Sequence, residues 1–394
     1  MSVLGAPEVH GEAFFRSRWV EHPEGVEELD PAQLPPGFRA GGAHCGLKKG
    51  GETDIGVIVC DEPEVRSAMV LTRNASAAAP IRVCRKVTEL DGVRAAVVNS
   101  GNANAETGEQ GFADALGMCE RTAAALGLRS EQIAVAETGT IGVPLPISAV
   151  LPGIDEAASA LSPRGGIDFS AAICTTDRWA KCCTLKVGGV TISAQAKGAG
   201  MIEPNMATML CFVQTDAVVD DPDKLLREAT DASFNRITVD GQMSTNDCVL
   251  LQATGTSGEP LPAGLLEAVL LQLAIEIVRD GEGAVRVGRV EVSEAASAAE
   301  AERVARAIAN SPLVKTALYG RDPNWGRIAQ AAGAALAGED LEEIGADSID
   351  AAELGGEADE AEIGLRLGRG EHRAHVWFSD LGYEYIRINA EYTT

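Results

Sequence analysis

The sequence predicts an α+β fold, and three observations carry that prediction. Apolar runs of strand length recur along the chain, and amphipathic helical segments fall between them without strict strand–helix alternation. The 394 residues suffice for one large or two modest domains. Hydrophobic residues make up 45% of the chain, an ordinary share for a globular protein, so a full core is expected.

Strands are predicted at several places along the chain. The first 37 residues are polar and proline-rich, which is typical of an irregular lead. The C-terminal run 385–388 alternates in character and predicts a strand that Asn389 ends. The other predicted strands lie in the region 37–71 and at residues 95–98, 185–195, 209–214 and 248–253.

Helical periodicity is clearest in residues 112–126, where Phe112, Leu116 and Cys119 share one face and Gly127 follows the end. Residues 338–362 are acidic and rich in Gly and Ala, which favours a surface excursion. Further helices are predicted at residues 222–233, 262–279, 297–310 and 326–337.

Charge and cysteine usage exclude several classes of function. The net charge of −25 argues against binding to nucleic acid or to anionic membranes. No apolar run approaches the ~20 residues that a membrane helix needs, and no signal-peptide pattern is evident. The nine cysteines are odd in number and none has C-x-x-C spacing. Free thiols in a reducing cytoplasm are therefore expected, rather than disulfides or zinc.

The segment KGAGMIEPNMATML, residues 197–210, carries the strongest chemical signal. A small-residue turn leads to Ala207 and Thr208 and then into an apolar strand. A Thr hydroxyl is a weak nucleophile that needs an adjacent base. The nearest base is its own α-amine, which becomes free only if the Ala207–Thr208 bond is cut. That amine would have a pKa of about 7.7–8.0, close to what a general base needs at neutral pH. The residues predict a chain that activates itself by cleavage.

This segment closely resembles the self-cleaving segment of the ornithine acetyltransferases, also called glutamate N-acetyltransferases. In that family the Thr after Met-Ala is both the cleavage site and the acyl-accepting nucleophile, which assigns both roles to Thr208. Matching motifs continue from about Gly37 to Thr394 in the family's order. The resemblance implies two packed sheets with outer helices, of the N-terminal-nucleophile type. It also implies an alpha chain, 1–207, and a beta chain, 208–394.

A second segment, ETGTIGVPLP at residues 137–146, contains a Thr-Gly pair between an apolar run and a proline-rich exit. Such a turn can present a hydroxyl and a backbone N–H side by side, as an oxyanion hole requires. It is similar to the family's Ser-Thr-Gly-x-Ile-Gly motif, whose Thr-Gly pair lines the oxyanion hole. The resemblance assigns that role to Thr138 and Gly139, with Glu137 where a Ser is usual.

Two charged residues match substrate-binding positions of the family. Lys197 precedes a glycine-rich turn that can bring its ammonium back beside Thr208. Glu282 lies between two glycines after a long apolar helix, where a carboxylate can pair with an ammonium group of an amino-acid substrate. The resemblance makes Lys197 and Glu282 substrate ligands.

Three polar positions complete the predicted site. Cys174–Asp177 resembles the family's Thr-Thr-Asp segment, in which one Thr contacts substrate; Thr175 is favoured over Thr176. Arg178 replaces the Thr that often follows. The C-terminal INAEYTT resembles the family's Ile-Asn-Ala-x-Tyr-x-Thr, and this assigns Asn389 and Thr394 to the active site.

These matches predict a glutamate N-acetyltransferase that moves acetyl from N2-acetyl-L-ornithine to L-glutamate through an acetyl-Thr208 enzyme, in arginine synthesis. The resemblance implies no metal, no organic prosthetic group and an association of two αβ pairs. Some family members also accept acetyl-CoA, and no residue here decides that point. Two alternatives stay open: a related self-cleaving amidase or aminopeptidase, and an uncleaved inactive relative. The second rests on the departures from the family pattern at Glu137, Arg178, Gln242 and Met243.

Overall fold

A computed structural model of the chain describes residues 8–9, 13–203, 209–339 and 343–391. The helices in these residues are α1 Ala79–Lys86, α2 Gly108–Leu126, α3 Ile147–Ser159, α4 Gly166–Ile173, α5 Pro222–Ala232, α6 Leu265–Arg279, α7 Ala298–Ala309, α8 Pro312–Tyr319, α9 Trp325–Ala335 and α10 Tyr383–Glu391. The strands are β1 Glu8–Val9, β2 Val26–Leu29, β3 Phe38–Ala43, β4 Ile55–Cys60, β5 Arg66–Leu71, β6 Ala95–Asn102, β7 Ile133–Thr140, β8 Trp179–Val187, β9 Val190–Lys197, β10 Leu210–Thr215, β11 Ile237–Thr238, β12 Cys248–Ala253, β13 Val287–Ala295, β14 Ile349–Asp350, β15 Glu360–Arg366 and β16 His372–Ser379.

The first sheet has the strand order β3-β4-β6-β7, with β6 and β7 parallel and the other pairs antiparallel. Strand β4 reads IGVIVC and all six of its residues are buried, as a strand covered on both faces requires. Helices α1 and α2 pack against β7, and α3 and α4 pack against β3 and β4. The parallel pair matters for function because it brings the ends of β6 and β7 to one edge.

The second sheet has seven strands, in the order β1-β8-β9-β10-β12-β5, with β2 added beside β8. Helix α4 lies between this sheet and the first, in contact with β8 and β9 as well as β3 and β4. Phe169 of α4 meets Phe212 of β10 edge to face, with ring centroids 5.1 Å apart. One continuous apolar core therefore joins the two sheets. The opposite face of the second sheet is covered by α5 and α6.

The third sheet has the order β11-β16-β13-β15-β14. Helices α7 and α9 pack together, and α7 covers β13 and β16. The core between the third sheet and these helices consists of Val, Ala, Ile and Leu side chains with Phe378. It includes the fully buried Val290 and Ile363. Trp377 reaches instead into the core beneath α6, so this layer is joined to the second sheet through β16.

The predicted α+β class is confirmed, although the described strands form three sheets where two were expected. The predicted helix at 112–126 is α2, which begins four residues earlier at Gly108. The four other predicted helices match α5, α6, α7 and α9 with small differences at the ends. The predicted strands at 209–214 and 248–253 are β10 and β12.

Two sequence-based expectations about β structure were wrong. The single strand predicted at 185–195 is the second half of β8 and most of β9, which form a hairpin around Gly188 and Gly189. Gly188 adopts φ +59°, a left-handed conformation that a tight turn needs. The lead expected to be irregular contains β2, which pairs with β8. Neighbouring strands, rather than local composition, decide both cases.

Two further corrections concern the last sixty residues. The surface excursion expected at 338–362 is partly core, because Leu354 is fully buried against the third sheet and β15 begins within it. The strand expected at 385–388 is helix α10. Its alternating pattern also suits a helix, since Arg387 pairs with Glu384 and Glu391 at helical spacing.

All nine cysteines are free thiols, as the sequence predicted. Within the described residues, no helix combines the length and apolar character that crossing a bilayer requires.

Candidate active site

The candidate site forms where the end of β7 meets the end of β9. Lys197 is the last residue of β9 and pairs with Leu210 in the antiparallel strand β10. The turn after Lys197 therefore reverses the chain, as the glycine-rich sequence predicted. The Lys197 Nζ donates to Thr138 Oγ1 over 3.1 Å, a contact that links the second sheet to the first. Both side chains are buried.

Gly139 stands at a position that admits no side chain. Its φ is +132°. A Cβ added there would lie 2.3 Å from the carbonyl carbon of Gly101 and 2.5 Å from the nitrogen of Asn102. The pairing of β6 with β7 is irregular at this point. Thr138 and Gly139 thus lie in a distorted strand end, where the sequence predicted a turn, and glycine is required there for close backbone approach.

Glu137, which the sequence singled out as a departure, is fully buried on β7. Its Oε1 accepts a hydrogen bond from Asn104 Nδ2 over 2.8 Å, while its Oε2 has no partner among the described residues. Burial, opposed by the Asn104 hydrogen bond, raises the pKa of Glu137 to about 8. At neutral pH this side chain is therefore mainly the uncharged acid, directly before the oxyanion-hole candidates.

Lys197 belongs to a buried group of charges. Asp177 Oδ1 accepts from Lys181 Nζ over 2.7 Å and from the Gly198 N–H over 2.8 Å. Burial disfavours the ionised Asp177, but Lys181 and Lys197 together hold the pKa of its carboxyl well below its ordinary value. Burial lowers the pKa of Lys197, and Asp177 opposes that shift. The site thus combines a firmly ionised carboxylate with an ammonium that is easier to deprotonate.

Glu282 lies on the other side of the glycine-rich turn. Thr176 Oγ1 donates to Glu282 Oε1 over 3.1 Å, and Asn389 Nδ2 donates to Oε2 over 2.8 Å. A Cβ on Gly200 would lie 2.6 Å from the Glu282 carboxyl carbon, so the carboxylate rests against bare backbone. The sequence favoured Thr175, whose N–H donates to Asp177 over 3.0 Å; the hydroxyl that contacts Glu282 is that of Thr176.

A continuous path of contacts therefore connects the predicted residues. It runs from Thr138 to Lys197, through Gly198 and Asp177 to the adjacent Thr176, and on to Glu282 and Asn389. Three predicted residues, Ala207, Thr208 and Thr394, lie outside the described part of the chain.

Comparison with known proteins identifies the family. The ArgJ family model matches residues 39–394. The chain belongs to the ArgJ family. The arginine biosynthesis bifunctional protein ArgJ of Symbiobacterium thermophilum is 46% identical, covering 91% of this chain and 98% of that protein. The protein of the same name from Geobacter sulfurreducens is 43% identical, and the match covers 91% of this chain and 99% of that protein. A solved chain of ornithine acetyltransferase from Mycobacterium tuberculosis, complexed with ornithine, is 35% identical with a TM-score of 0.42. That match covers 45% of this chain and 98% of the solved chain.

The departure at Arg178 has a clear structural consequence in this ArgJ-family chain. The Arg178 Nε donates to Asp280 Oδ1 over 2.8 Å, and its backbone N–H donates to Oδ2 over 3.0 Å. Lys181 Nζ donates to the same Oδ2 over 2.6 Å. Arg178 and Lys181 thus brace Asp280, which directly follows α6 and lies two positions before Glu282. Arg178 therefore joins the segment that carries Thr175 and Thr176 to the end of α6.

Sequence reasoning missed the carboxylates that hold the site together. Asp177 and Asp280 are buried, and each receives several hydrogen bonds from the segments around it. Asp240 and Asp247 contact the backbone on either side of residues 204–208. Asp177 lies inside a motif that the sequence marked, but nothing in the sequence marked Asp240, because its hydrogen-bond partners Met201 and Ile202 are distant along the chain.

Proposed function

We propose that this chain is a glutamate N-acetyltransferase that moves acetyl from N2-acetyl-L-ornithine to L-glutamate in arginine biosynthesis. The observation that carries the proposal is the path of contacts joining Thr138, Lys197, Glu282 and Asn389 at one edge of two sheets. Membership of the ArgJ family supports it, since the curated relatives are named arginine biosynthesis proteins.

The proposed nucleophile is Thr208, made available by cleavage of the Ala207–Thr208 bond. The Thr208 Oγ attacks the Ala207 carbonyl carbon, the C–N bond breaks, and the hydroxyl proton passes to the new α-amine. Water then hydrolyses the ester and leaves the chains 1–207 and 208–394. In the mature enzyme the free α-amine of Thr208 acts as general base.

Acetyl transfer then follows in two halves. The Thr208 Oγ attacks the acetyl carbonyl of N-acetylornithine, its proton passes through the α-amine to the leaving nitrogen, and ornithine departs. The α-amine of glutamate attacks the resulting ester, and N-acetylglutamate departs as Oγ regains its proton. The Thr138 hydroxyl and the Gly139 N–H would hold the oxyanion in both halves, and one such donor contributes roughly 2.7–4 kcal/mol.

Charge complementarity supports the binding roles. Lys197 presents an ammonium suited to a substrate carboxylate, and Glu282 presents a carboxylate suited to an ammonium of ornithine or glutamate. Asn389 and Thr176 hydrogen-bond to Glu282, so they orient that carboxylate. Thr175 and Thr394 remain proposed ligands by resemblance. The name "bifunctional" carried by the relatives favours acetyl-CoA as a second acetyl donor.

Strand pairing in the second sheet explains why the chains 1–207 and 208–394 would stay together after cleavage. Strand β9 belongs to the first chain and β10 to the second, yet they pair from Lys197–Leu210 to Ile192–Thr215. Strands β12 and β5 are joined in the same way across the two chains. We place the enzyme in the cytoplasm, where nine free thiols stay reduced, and propose a dimer of αβ pairs.

The first test is the intact mass of freshly purified protein, followed by acetyl transfer assays. Fragments meeting at Ala207–Thr208 and parallel double-reciprocal lines are expected, because an acetyl-enzyme gives ping-pong kinetics. Thr208→Ala should abolish cleavage and transfer together. Thr256→Ala, in an exposed turn, is the matched control and should retain both. A Thr208→Ala protein that is cleaved and active would contradict the assignment of Thr208 as nucleophile. Acetyl release in the absence of glutamate would favour an amidase.

A further inference from the structure

The loop between β11 and β12 contacts the chain on both sides of residues 204–208. Asp240 Oδ2 accepts from the Met201 N–H over 2.7 Å, and Asp240 Oδ1 accepts from the Ile202 N–H over 2.9 Å. At the other end of the loop, Asp247 Oδ1 accepts from the Met209 N–H over 3.0 Å. Met209 directly follows Thr208 in the sequence. One loop thus holds Met201 and Ile202, shortly before the segment, and Met209, the first residue after it.

Several hydrogen bonds hold Met201 and Ile202 against the loop between β11 and β12. Besides the bond from the Ile202 N–H to Asp240, the Ile202 carbonyl oxygen accepts from the Val239 N–H over 2.9 Å and from Thr238 Oγ1 over 3.2 Å. Met201 adopts φ +57°, an uncommon conformation for a residue with a side chain. A carboxylate that receives two successive N–H groups can hold this turn in place.

The loop is itself anchored to the first sheet and to the connection between β5 and α1. Asn246 Nδ2 donates to the carbonyl oxygen of Glu137 over 2.9 Å. The carbonyl oxygens of Ser244 and Met243 accept from Thr72 Oγ1 and Asn74 Nδ2, each over 3.0 Å. Asp240 and Asp247 are therefore presented from a fixed support that also contacts the oxyanion-hole strand.

We propose that Asp240 and Asp247 are positioning residues for self-cleavage of the Ala207–Thr208 bond, holding the backbone on both sides of the segment that contains it. This inference rests on the proposed function. An attack of Thr208 Oγ on the preceding carbonyl carbon needs a narrow range of backbone geometry. Fixing the N–H groups of Met201, Ile202 and Met209 limits the conformations available to the chain between them.

Asp240 and Asp247 should have different effects on activity after the Ala207–Thr208 bond is cut. Asp240 then lies on the second chain and holds residues of the first, whereas Asp247 and Met209 stay on the same chain as the nucleophile. Loss of the Asp240 contacts should slow cleavage more than it lowers kcat. Loss of the Asp247 contact should lower both, because Met209 continues to carry Thr208. A general loss of stability would not produce this split.

The test measures cleavage in pulse-labelled full-length protein, quenched at intervals and separated on a denaturing gel. Asp240→Asn and Asp247→Ala should each slow cleavage about tenfold, the size expected for one lost hydrogen bond. Asp247→Asn keeps an oxygen for the Met209 N–H and should restore the rate to within about threefold of wild type.

The matched control is Asp216→Asn, at the far end of β10. Asp216 is also buried, and its Oδ1 accepts from the Thr191 N–H over 2.7 Å; its variant should cleave at the wild-type rate. Circular dichroism melts confirm that each variant is folded. A milder variant, Tyr385→Phe, removes the hydroxyl that donates to Asp240 Oδ2 over 3.4 Å and should slow cleavage slightly.

The outcomes separate this inference from the function on which it rests. A wild-type chain that stays intact would overturn the proposed cleavage, and this inference with it. A wild-type chain that cleaves, with folded Asp240→Asn and Asp247→Ala variants cleaving equally fast, would overturn only the positioning roles. Equal slowing by Asp216→Asn would show a stability effect and would also overturn them.

Discussion

The edge where β7 meets β9 and the apolar core of the third sheet differ in the kind of side chain that they bury. The edge buries Asp177, Lys181, Lys197 and Asp280 in direct or neighbouring contact. The core of the third sheet is composed of apolar side chains. Burying charges costs stability even when they are paired, whereas burying apolar groups stabilises directly. The edge therefore carries a stability cost that the apolar core does not, which is consistent with the substrate-binding roles proposed for its charged groups.

The largest expected effect comes from breaking the buried charge group. Lys181→Met removes the ammonium between Asp177 and Asp280 and leaves both carboxylates without it in the interior. The free energy of unfolding should fall by about 3–5 kcal/mol, with a loss of transfer activity. Urea denaturation followed by circular dichroism measures the first effect. Arg121→Gln, at an exposed pair with Asp155, is the control and should cost less than about 0.5 kcal/mol.

A comparable loss of stability in the third sheet should leave activity intact. Ile363→Ala truncates a fully buried side chain of β15 and leaves a cavity in its place. The free energy of unfolding should fall by about 2–5 kcal/mol. Among the described residues, the hydrogen-bonded path of the site includes no side chain of that core. We therefore expect kcat, measured well below the melting temperature, to stay at the wild-type value. A loss of kcat as large as that of Lys181→Met would contradict the division between the two regions.

The smallest effect concerns Glu137 and depends on pH. Its pKa is raised from 4.5 to about 8 by burial, so between these values the folded chain holds a proton that the unfolded chain has released. The stability from this group is full below pH 4.5 and is lost as pH rises towards 8. The slope is at most about 1.4 kcal/mol per pH unit.

Glu137→Gln stays neutral and keeps an oxygen for Asn104, so it should gain stability relative to wild type as pH rises. Urea denaturation at several pH values between about 5 and 8 measures that difference. Glu120→Gln, at an exposed position of α2, should show no such trend. A wild-type-like pH dependence in Glu137→Gln would mean that Glu137 is ionised in the folded protein.

The sequence pattern was sufficient to predict a helix or strand where the segment's own residues favour only one of the two structures. Helix α6 could be predicted because its apolar run is long and ends at Asp280 before two glycines. Strand β10 could be predicted because it is apolar throughout. Helix α10 could not, since the same residues suit a strand or a helix, and the choice depends on whether a neighbouring strand is present to pair with them. Lys197 and Glu282 were found by resemblance, but the burial of Lys197 had no local signal.

By itself the sequence determined the α+β class, the positions of the main helices and strands, and the Thr-Gly, Lys and Glu residues of the candidate site. These features depend on the periodicity and residue types of short segments. Only the tertiary structure decided that the strands form three sheets, that Thr176 rather than Thr175 contacts Glu282, and that Glu137 is held uncharged. Each of these depends on which distant segments meet, and on the burial that their meeting imposes on charged groups.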